Sequence, residues 1–315
     1  MNDEIVTLTD SSTGATARIL PSLGFNCFSF EAMPAGEPVE VLWSAPRFSG
    51  GGQRPSRSGI PILFPFPGRM RGSSFSFAER SYPLEPSHGQ KTAIHGYALD
   101  RPWELTEHTE KSATGRFHAS TVDPDLLSKW PADFVLTVTY ELAGNSLTTN
   151  FLVENPGDGD LPFGLGTHAY FRLPLGFYGP AEQCRVKVPI GDTWGLAEML
   201  PTGKKAPTSS GASLAKGMAF GEMKFDDVFS GSAPEAGRYC ATIEDPENER
   251  RLEFSYDDKF PACVVFVPPH RQALCIEPYS CLPDPFWLEE QGIKSGLILL
   301  RPGESWIASM RISIT

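Results

Sequence analysis

No apolar run in the chain approaches the roughly 20 residues that a membrane-spanning helix needs. The opening residues, Met-Asn-Asp-Glu-Ile-Val, have neither a basic region nor an apolar core, so they do not read as a secretory signal. Together these absences predict a cytoplasmic protein without a membrane partner. Excess positive charge is also missing: 27 Lys and Arg face 38 Asp and Glu, for a net charge of −11. An acidic surface repels nucleic acid and anionic lipid alike, so no nucleic-acid partner is expected. Paired cysteines are lacking. The six Cys (27, 184, 240, 263, 275, 281) are scattered, and none forms a Cys-x-x-Cys. Several lie in apolar strand-like runs, as Cys263 does before Val264. They read as buried reduced thiols rather than disulfides or a structural zinc site. No His-x-His or His-Glu-x-x-His spacing points to a metal, and no glycine-rich loop points to a nucleotide. The expectation is a protein with no cofactor and no metal.

Long helical periodicity is scarce too, and short β-favouring runs take its place. They cover residues 5–8, 39–43, 75–77, 134–142, 146–153, 185–188, 252–256, 263–267, 296–300 and 306–314. Phe134-Val-Leu-Thr-Val-Thr-Tyr-Glu-Leu alternates apolar and polar residues, the period of a half-buried antiparallel strand. Ala143-Gly-Asn-Ser follows as a hairpin turn. A short helix is expected near 123–130, with Asp123 as cap and Pro124 at the first helical position. The 315 residues, 40% hydrophobic and 21% charged, suit an ordinary globular chain. They allow one large β domain or two smaller ones. Residues 47–59 read as a loop with three Arg, and 204–216 as a small polar stretch. Neither interrupts the strand pattern, so one domain over 1–315 is expected. The fold class is all-β, a large antiparallel β-sandwich of two stacked sheets.

Five residues stand out against this frame: Arg69, His95, His168, Asp226 and Glu277. His168 lies in a glycine- and aromatic-rich strand, Pro-Phe-Gly-Leu-Gly-Thr-His-Ala-Tyr-Phe, an odd place for a side chain that titrates near neutrality. His95 has a similar setting in Ala-Ile-His-Gly-Tyr. Glu277 follows an apolar run and precedes a proline, where a solvated carboxylate is not expected. Burying it costs several kcal/mol or more unless it is paired or protonated. Each residue singly has a structural reading. A strand histidine is usually a satisfied core residue, Glu277 could pair with Arg69 or Arg271, and Asp226 could cap a turn. In one cleft, the five could instead satisfy one another and transfer protons.

The contexts of these residues resemble the aldose 1-epimerases, the mutarotases of the galactose mutarotase-like superfamily. Pro65-Phe-Pro-Gly-Arg-Met-Arg-Gly-Ser-Ser-Phe is similar to the family's Asn-Arg-Ile segment and puts Arg69 at the sugar-binding arginine. Ile94-His-Gly-Tyr resembles the first histidine motif, at His95. Gly166-Thr-His-Ala-Tyr-Phe-Arg-Leu resembles the second, at His168. Phe225-Asp-Asp-Val-Phe puts Asp226 at the substrate-binding aspartate. Ile276-Glu-Pro-Tyr-Ser-Cys-Leu-Pro-Asp puts Glu277 at the catalytic glutamate, and Leu300-Arg-Pro-Gly-Glu follows as in the family. There are two departures. Gly68 stands where galactose mutarotases carry Asn, and Val264 where they carry a sugar-binding Gln. Each loss removes hydrogen bonds to hydroxyls and bears on galactose specificity.

The resemblance implies interconversion of the α and β anomers of an aldose, with a small-molecule sugar, free or phosphorylated, as partner. It implies Glu277 as base, which burial would make a better one, and His168 as acid, for which a pKa near 6.5 leaves a protonated fraction. His95 would stabilise developing charge. Arg69 and Asp226 would hold hydroxyls, and Tyr97, Tyr170 and Trp194 would stack on the sugar, whereas Phe171 reads as core. The oligomeric expectation is a monomer or weak dimer. Rival readings are a hexose-6-phosphate mutarotase using Arg54, Arg57, Arg71, Arg101 or Arg172, and a non-catalytic carbohydrate-binding protein. A glycosidase built on Asp226 and Glu277 and a metallohydrolase built on His95, His168 and Glu277 complete the set.

Overall fold

A computed structural model describes residues 5–50, 54–87 and 89–315. The alternating segment read above forms a long hairpin. Val135–Ala143 pairs with Ser146–Glu154, from Val135 opposite Glu154 to Ala143 opposite Ser146. Gly144, at φ +55, takes the first central position of the two-residue turn, a backbone that favours glycine. This hairpin sits within a nine-stranded sheet. In spatial order the sheet runs Glu104–His108, Ser112–His118, Val135–Ala143, Ser146–Glu154, Ser305–Ile314, Arg250–Asp257, Arg238–Asp245, Arg185–Lys187 and Met218–Ala219.

A second sheet has eight strands. Leu200–Ala206, Ile190–Ala197, Asp226–Gly231, Ala262–Phe266 and Ala273–Tyr279 succeed one another across it. Gly166–Thr167 and Ala169–Arg172 then both pair with Ala273–Tyr279, and Ile62–Leu63 closes the edge. Val6–Asp10, Ala15–Leu20, Asn26–Ala32 and Val39–Glu40 make a four-stranded sheet. The strand pairs are antiparallel throughout the two large sheets, and the architecture is the large antiparallel β-sandwich expected. Side chains from the two sheets meet in the core, as Phe171 does with Phe254 at 5.2 Å between ring centroids. Phe171 is fully buried, a core residue as expected.

One strand explains why a site forms where it does. All seven residues of Ala273–Tyr279 are buried, yet its two faces differ. Leu274 and Ile276 enter the main core between the sheets. Cys275, Glu277 and Tyr279 point the other way, since successive strand residues alternate faces. On Ala262–Phe266, Cys263 and Val265 likewise join the main core, which leaves Val264 and Phe266 on the face with Glu277. The eight-stranded sheet therefore has a dry core face and a second face that lines a pocket.

Two local expectations are refined by the structure. The helix near 123–130 is two single turns, Ala119–Val122 and Leu126–Lys129, broken at Asp123-Pro124. Asp123 ends the first turn and caps the second as expected: its Oδ1 accepts from Asp125 N–H at 3.2 Å across Pro124, while Oδ2 accepts from Arg101 at 2.9 and 3.2 Å. The polar stretch 204–216 holds the end of a strand and a helix, Ser209–Lys216, capped by the Thr208 hydroxyl accepting from Gly211 N–H at 3.1 Å. In the loop 47–59 the described residues form short 3-10 turns at Phe48–Gly50 and Pro55–Arg57, and residues 51–53 lie outside the described residues. Cys27, Cys184, Cys263, Cys275 and Cys281 are buried free thiols, and Cys240 is exposed. No helix among the described residues is long and apolar enough to cross a membrane.

Candidate active site

Strand register brings the central pair together. Gly166 pairs with Tyr279 and Ala169 with Ile276, so His168 falls opposite Glu277 in the same register. The ladder is interrupted at His168, whose N–H donates to Pro61 O at 3.0 Å. The side chains meet: His168 Nε2 lies 3.2 Å from Glu277 Oε1. The other carboxylate oxygen, Oε2, accepts from the Tyr279 hydroxyl at 2.7 Å. Tyr170 stacks on the His168 ring at 4.7 Å between centroids with 4° between planes, and its hydroxyl donates to Ser56 O at 3.0 Å. His168 Nδ1 is buried without a hydrogen-bond partner among the described residues.

His95 reaches the pocket from a different element. It follows the short pairing of Arg69–Met70 with Ala93–Ile94 and takes the left-handed conformation, φ +67, as does Gly96 at φ +71. A non-glycine residue held there carries strain and needs support from its surroundings. Gly68 provides it. The His95 N–H donates to Gly68 O at 2.9 Å, and the Gly68 N–H donates to His95 Nδ1 at 3.2 Å. A neutral imidazole that accepts at Nδ1 carries its proton on Nε2, which fixes His95 as a donor. The His95 and His168 rings lie edge to face, 5.7 Å apart.

These side chains line a pocket of about 200 Å³ with Arg69, Asp226, Val264, Phe266, Met199, Arg54 and Arg57. That is below the roughly 300–1,000 Å³ usual for drug-sized ligands and suits a smaller molecule. Arg69 is held by Gln90 Oε1 at 3.3 Å and Thr92 Oγ1 at 3.1 Å. Asp226 is exposed at the rim. Of the sequence-named residues, Arg69, His95, His168, Asp226, Glu277 and Tyr170 gather here. Tyr97 and Trp194 do not. Tyr97 packs edge-on against Phe66 and Trp130, and Trp194 bonds Ser230 Oγ at 3.1 Å within an apolar cluster. Both are explained by packing. Tyr279 and Gln90 were not named from sequence. Tyr279 was reachable in principle, because residue i+2 on a strand shares the face of Glu277.

Burial dominates the electrostatics. It pushes the Glu277 carboxyl well above its ordinary pKa, with the Asp226 charge adding and the Tyr279 hydrogen bond opposing. It lowers His168 to about 3. Burial, then the neighbouring His168 and Arg69, hold His95 well below its ordinary value. The expectation of a His168 near 6.5 is thus corrected: burial in the pocket favours neutral imidazoles. Partial desolvation where its carboxyl faces the pocket, and then the Asp227 charge, raise Asp226, against Arg69. The metal reading changes membership as well. His168, Glu277 and Cys275, not His95, place possible ligand atoms within 4.8 Å of one another. The Cys275 thiol is pushed well above its ordinary range by burial and then by Glu277, so it keeps its proton and is a poor ligand.

The family model described as Aldose 1-epimerase matches residues 28–313. The chain belongs to the aldose 1-epimerase family. It is similar to the Escherichia coli K12 protein YphB, 24% identical over 274 residues, covering 80% of this chain and 82% of that one. LacX of Lactococcus lactis is 28% identical over 138 residues, covering 44% of this chain and 42% of its own. Among solved structures, a galactose mutarotase-like protein from Clostridium acetobutylicum superposes with a TM-score of 0.84 at 24% identity, covering 96% of this chain and 93% of that chain. A GalM/aldose epimerase homologue from C. elegans superposes with a TM-score of 0.79 at 16% identity, covering 99% and 98%. At such identities the superpositions speak for the fold.

Proposed function

We propose that this aldose 1-epimerase family member is a mutarotase that opens and recloses a cyclic aldose. The observation that carries this reading is the buried His168–Glu277 pair at 3.2 Å, facing a small pocket that also holds His95, Arg69 and Asp226. A hemiacetal needs a base at its C1 hydroxyl and an acid at its ring oxygen. Both oxygens sit on one carbon, so neighbouring groups can address them together. The Glu277 carboxylate takes the hydroxyl proton, the C1–O1 bond becomes a carbonyl, the C1–ring-oxygen bond breaks and that oxygen takes the proton from His168. Rotation about C1–C2 and closure with the two roles reversed gives the other anomer.

The shifts described above refine this scheme. Burial favours protonated Glu277 and neutral His168. Moving one proton across their contact converts that neutral pair into carboxylate and imidazolium, with no exchange with solvent. Burial makes the ion pair costly and its proton transfers easy to reverse. His95, a fixed Nε2–H donor, stabilises charge on a sugar oxygen, and Arg69 and Asp226 orient hydroxyls. We expect Glu277→Gln to lower the enzymatic anomerisation of freshly dissolved α-glucose by at least about 10³-fold in polarimetry, with an unchanged circular dichroism spectrum. Near-wild-type turnover by that variant would sink the reading.

A further inference from the structure

We propose that the preferred substrate is an aldose bearing an anionic group remote from C1, and that Arg54 and Arg57 form the subsite for that group. The inference rests on the mutarotase reading and names its substrate class. Both arginines line the pocket with Glu277 and His168. They come from one short segment, with Pro55–Arg57 in a 3-10 turn. That turn is pinned beside the central pair, because Ser56 O accepts from the hydroxyl of Tyr170, which stacks on His168. Neither arginine meets a carboxylate among the described residues. Arg54 has only a long contact, 3.5 Å, to Gly89 O.

Arg71, Arg101 and Arg172 are engaged elsewhere. Arg71 bonds Asp284 and lies over Trp287, and Arg101 bonds Asp123. Arg172 lines a separate cavity beside Glu40. Local charge also inverts the sign of the whole chain. Three guanidiniums, Arg54, Arg57 and Arg69, line the pocket of a protein whose net charge is −11. Against them stand Asp226 and Glu277, and burial favours the neutral form of Glu277. There is room for a substituent. A second cavity of about 500 Å³ shares Arg54, Ser56, Gln90, Ile94 and His95 with the first, so the space runs on past Arg54.

The test is the anomerisation rate on glucose, glucuronate and glucose 6-phosphate, followed by NMR exchange, in the wild-type chain and in Arg54→Gln/Arg57→Gln. At low salt, kcat/KM for an anionic sugar should exceed that for glucose by about 10- to 100-fold, the scale of one or two charge-assisted hydrogen bonds. The ratio should fall as salt rises and collapse toward one in the double variant. A gain confined to glucose 6-phosphate identifies the group as a phosphate, and an equal gain for glucuronate identifies a simple negative charge. Equal rates on all three sugars, or a ratio untouched by the double variant, would overturn the subsite and leave the mutarotase reading standing. No turnover of any of the three would overturn the mutarotase reading itself. The salt dependence of the wild-type ratio is independent of whether the variant folds.

Discussion

At the scale of single residues, the site is a problem in placing one carboxyl group. Glu277 is buried, 1% exposed, and each of its oxygens has a partner, Tyr279 on one side and His168 on the other. The tyrosine is a positioning residue. Its hydrogen bond favours the ionised form of Glu277 and opposes the larger effect of burial. Removing it with Tyr279→Phe should raise the Glu277 pKa further, shift the alkaline limb of the pH–rate profile, where the shared proton is lost, upward and cost about 10-fold in kcat at neutral pH. A uniform loss across pH, with no shift of the limb, would mean that the hydroxyl only fills space. Gly68 poses a second residue-scale question. At φ +72, a Cβ there would lie 2.7 Å from Pro283 Cβ and Cγ. An Asn side chain therefore does not fit beside this proline. Gly68→Asn should lower the melting temperature and weaken the contact that supports His95, and adding Pro283→Gly should recover much of the loss. Full stability of the single variant in a thermal melt would refute the steric account.

At the scale of elements, the strand Ala273–Tyr279 carries chemistry on one face and stability on the other. Ile276, fully buried, points into the core between the sheets. Ile276→Ala should destabilise the chain by about 2–5 kcal/mol in denaturant unfolding while leaving kcat largely intact well below the melting range. A large loss of kcat with little change in stability would show that the two faces are not separable. The same strand shows what could and could not be read from sequence. Amphipathic strands such as Val135–Ala143 declare themselves, because one wet face imposes a period of two. Ala273–Tyr279 is buried on both faces, so its apolar run gives no period, and Glu277 stood out only as an exception within it. Tyr279 went unnoticed because a tyrosine in an apolar strand is unremarkable until its neighbour is known to be a buried carboxyl. Tyr97 is the opposite case. It is two residues from His95, but both His95 and Gly96 have positive φ, so the simple alternation of a strand does not apply. Register did the rest: no local pattern puts residue 168 opposite residue 277.

At the scale of the whole molecule, a buried titratable pair makes stability depend on pH, and the sign can be derived. Stability rises with pH wherever the unfolded chain binds more protons than the native one. For His168 the native pKa is about 3 and the unfolded value about 6.5, so the unfolded chain binds more protons between them. That contribution rises from about pH 3 to 6.5 and is flat above. For Glu277 the native pKa is raised above an unfolded value of about 4.3, so the native chain binds more protons. Its stabilising contribution is complete below that unfolded value and is lost as pH rises through the native one. Above about pH 6.5 only the Glu277 slope remains of this pair. Glu277→Gln removes it and keeps the shape, with an amide oxygen for Tyr279 and an amide N–H for His168. The variant should therefore gain thermostability relative to the wild type as pH rises above 6.5 toward the raised native pKa of Glu277, in paired melting curves over about pH 6.5 to 9. A difference in melting temperature that stays constant across that range would mean that Glu277 is ionised throughout it in the folded chain. The same variant thus separates two costs of the site, since the group assigned as base in the proposed ring opening is also one whose ionisation the fold resists.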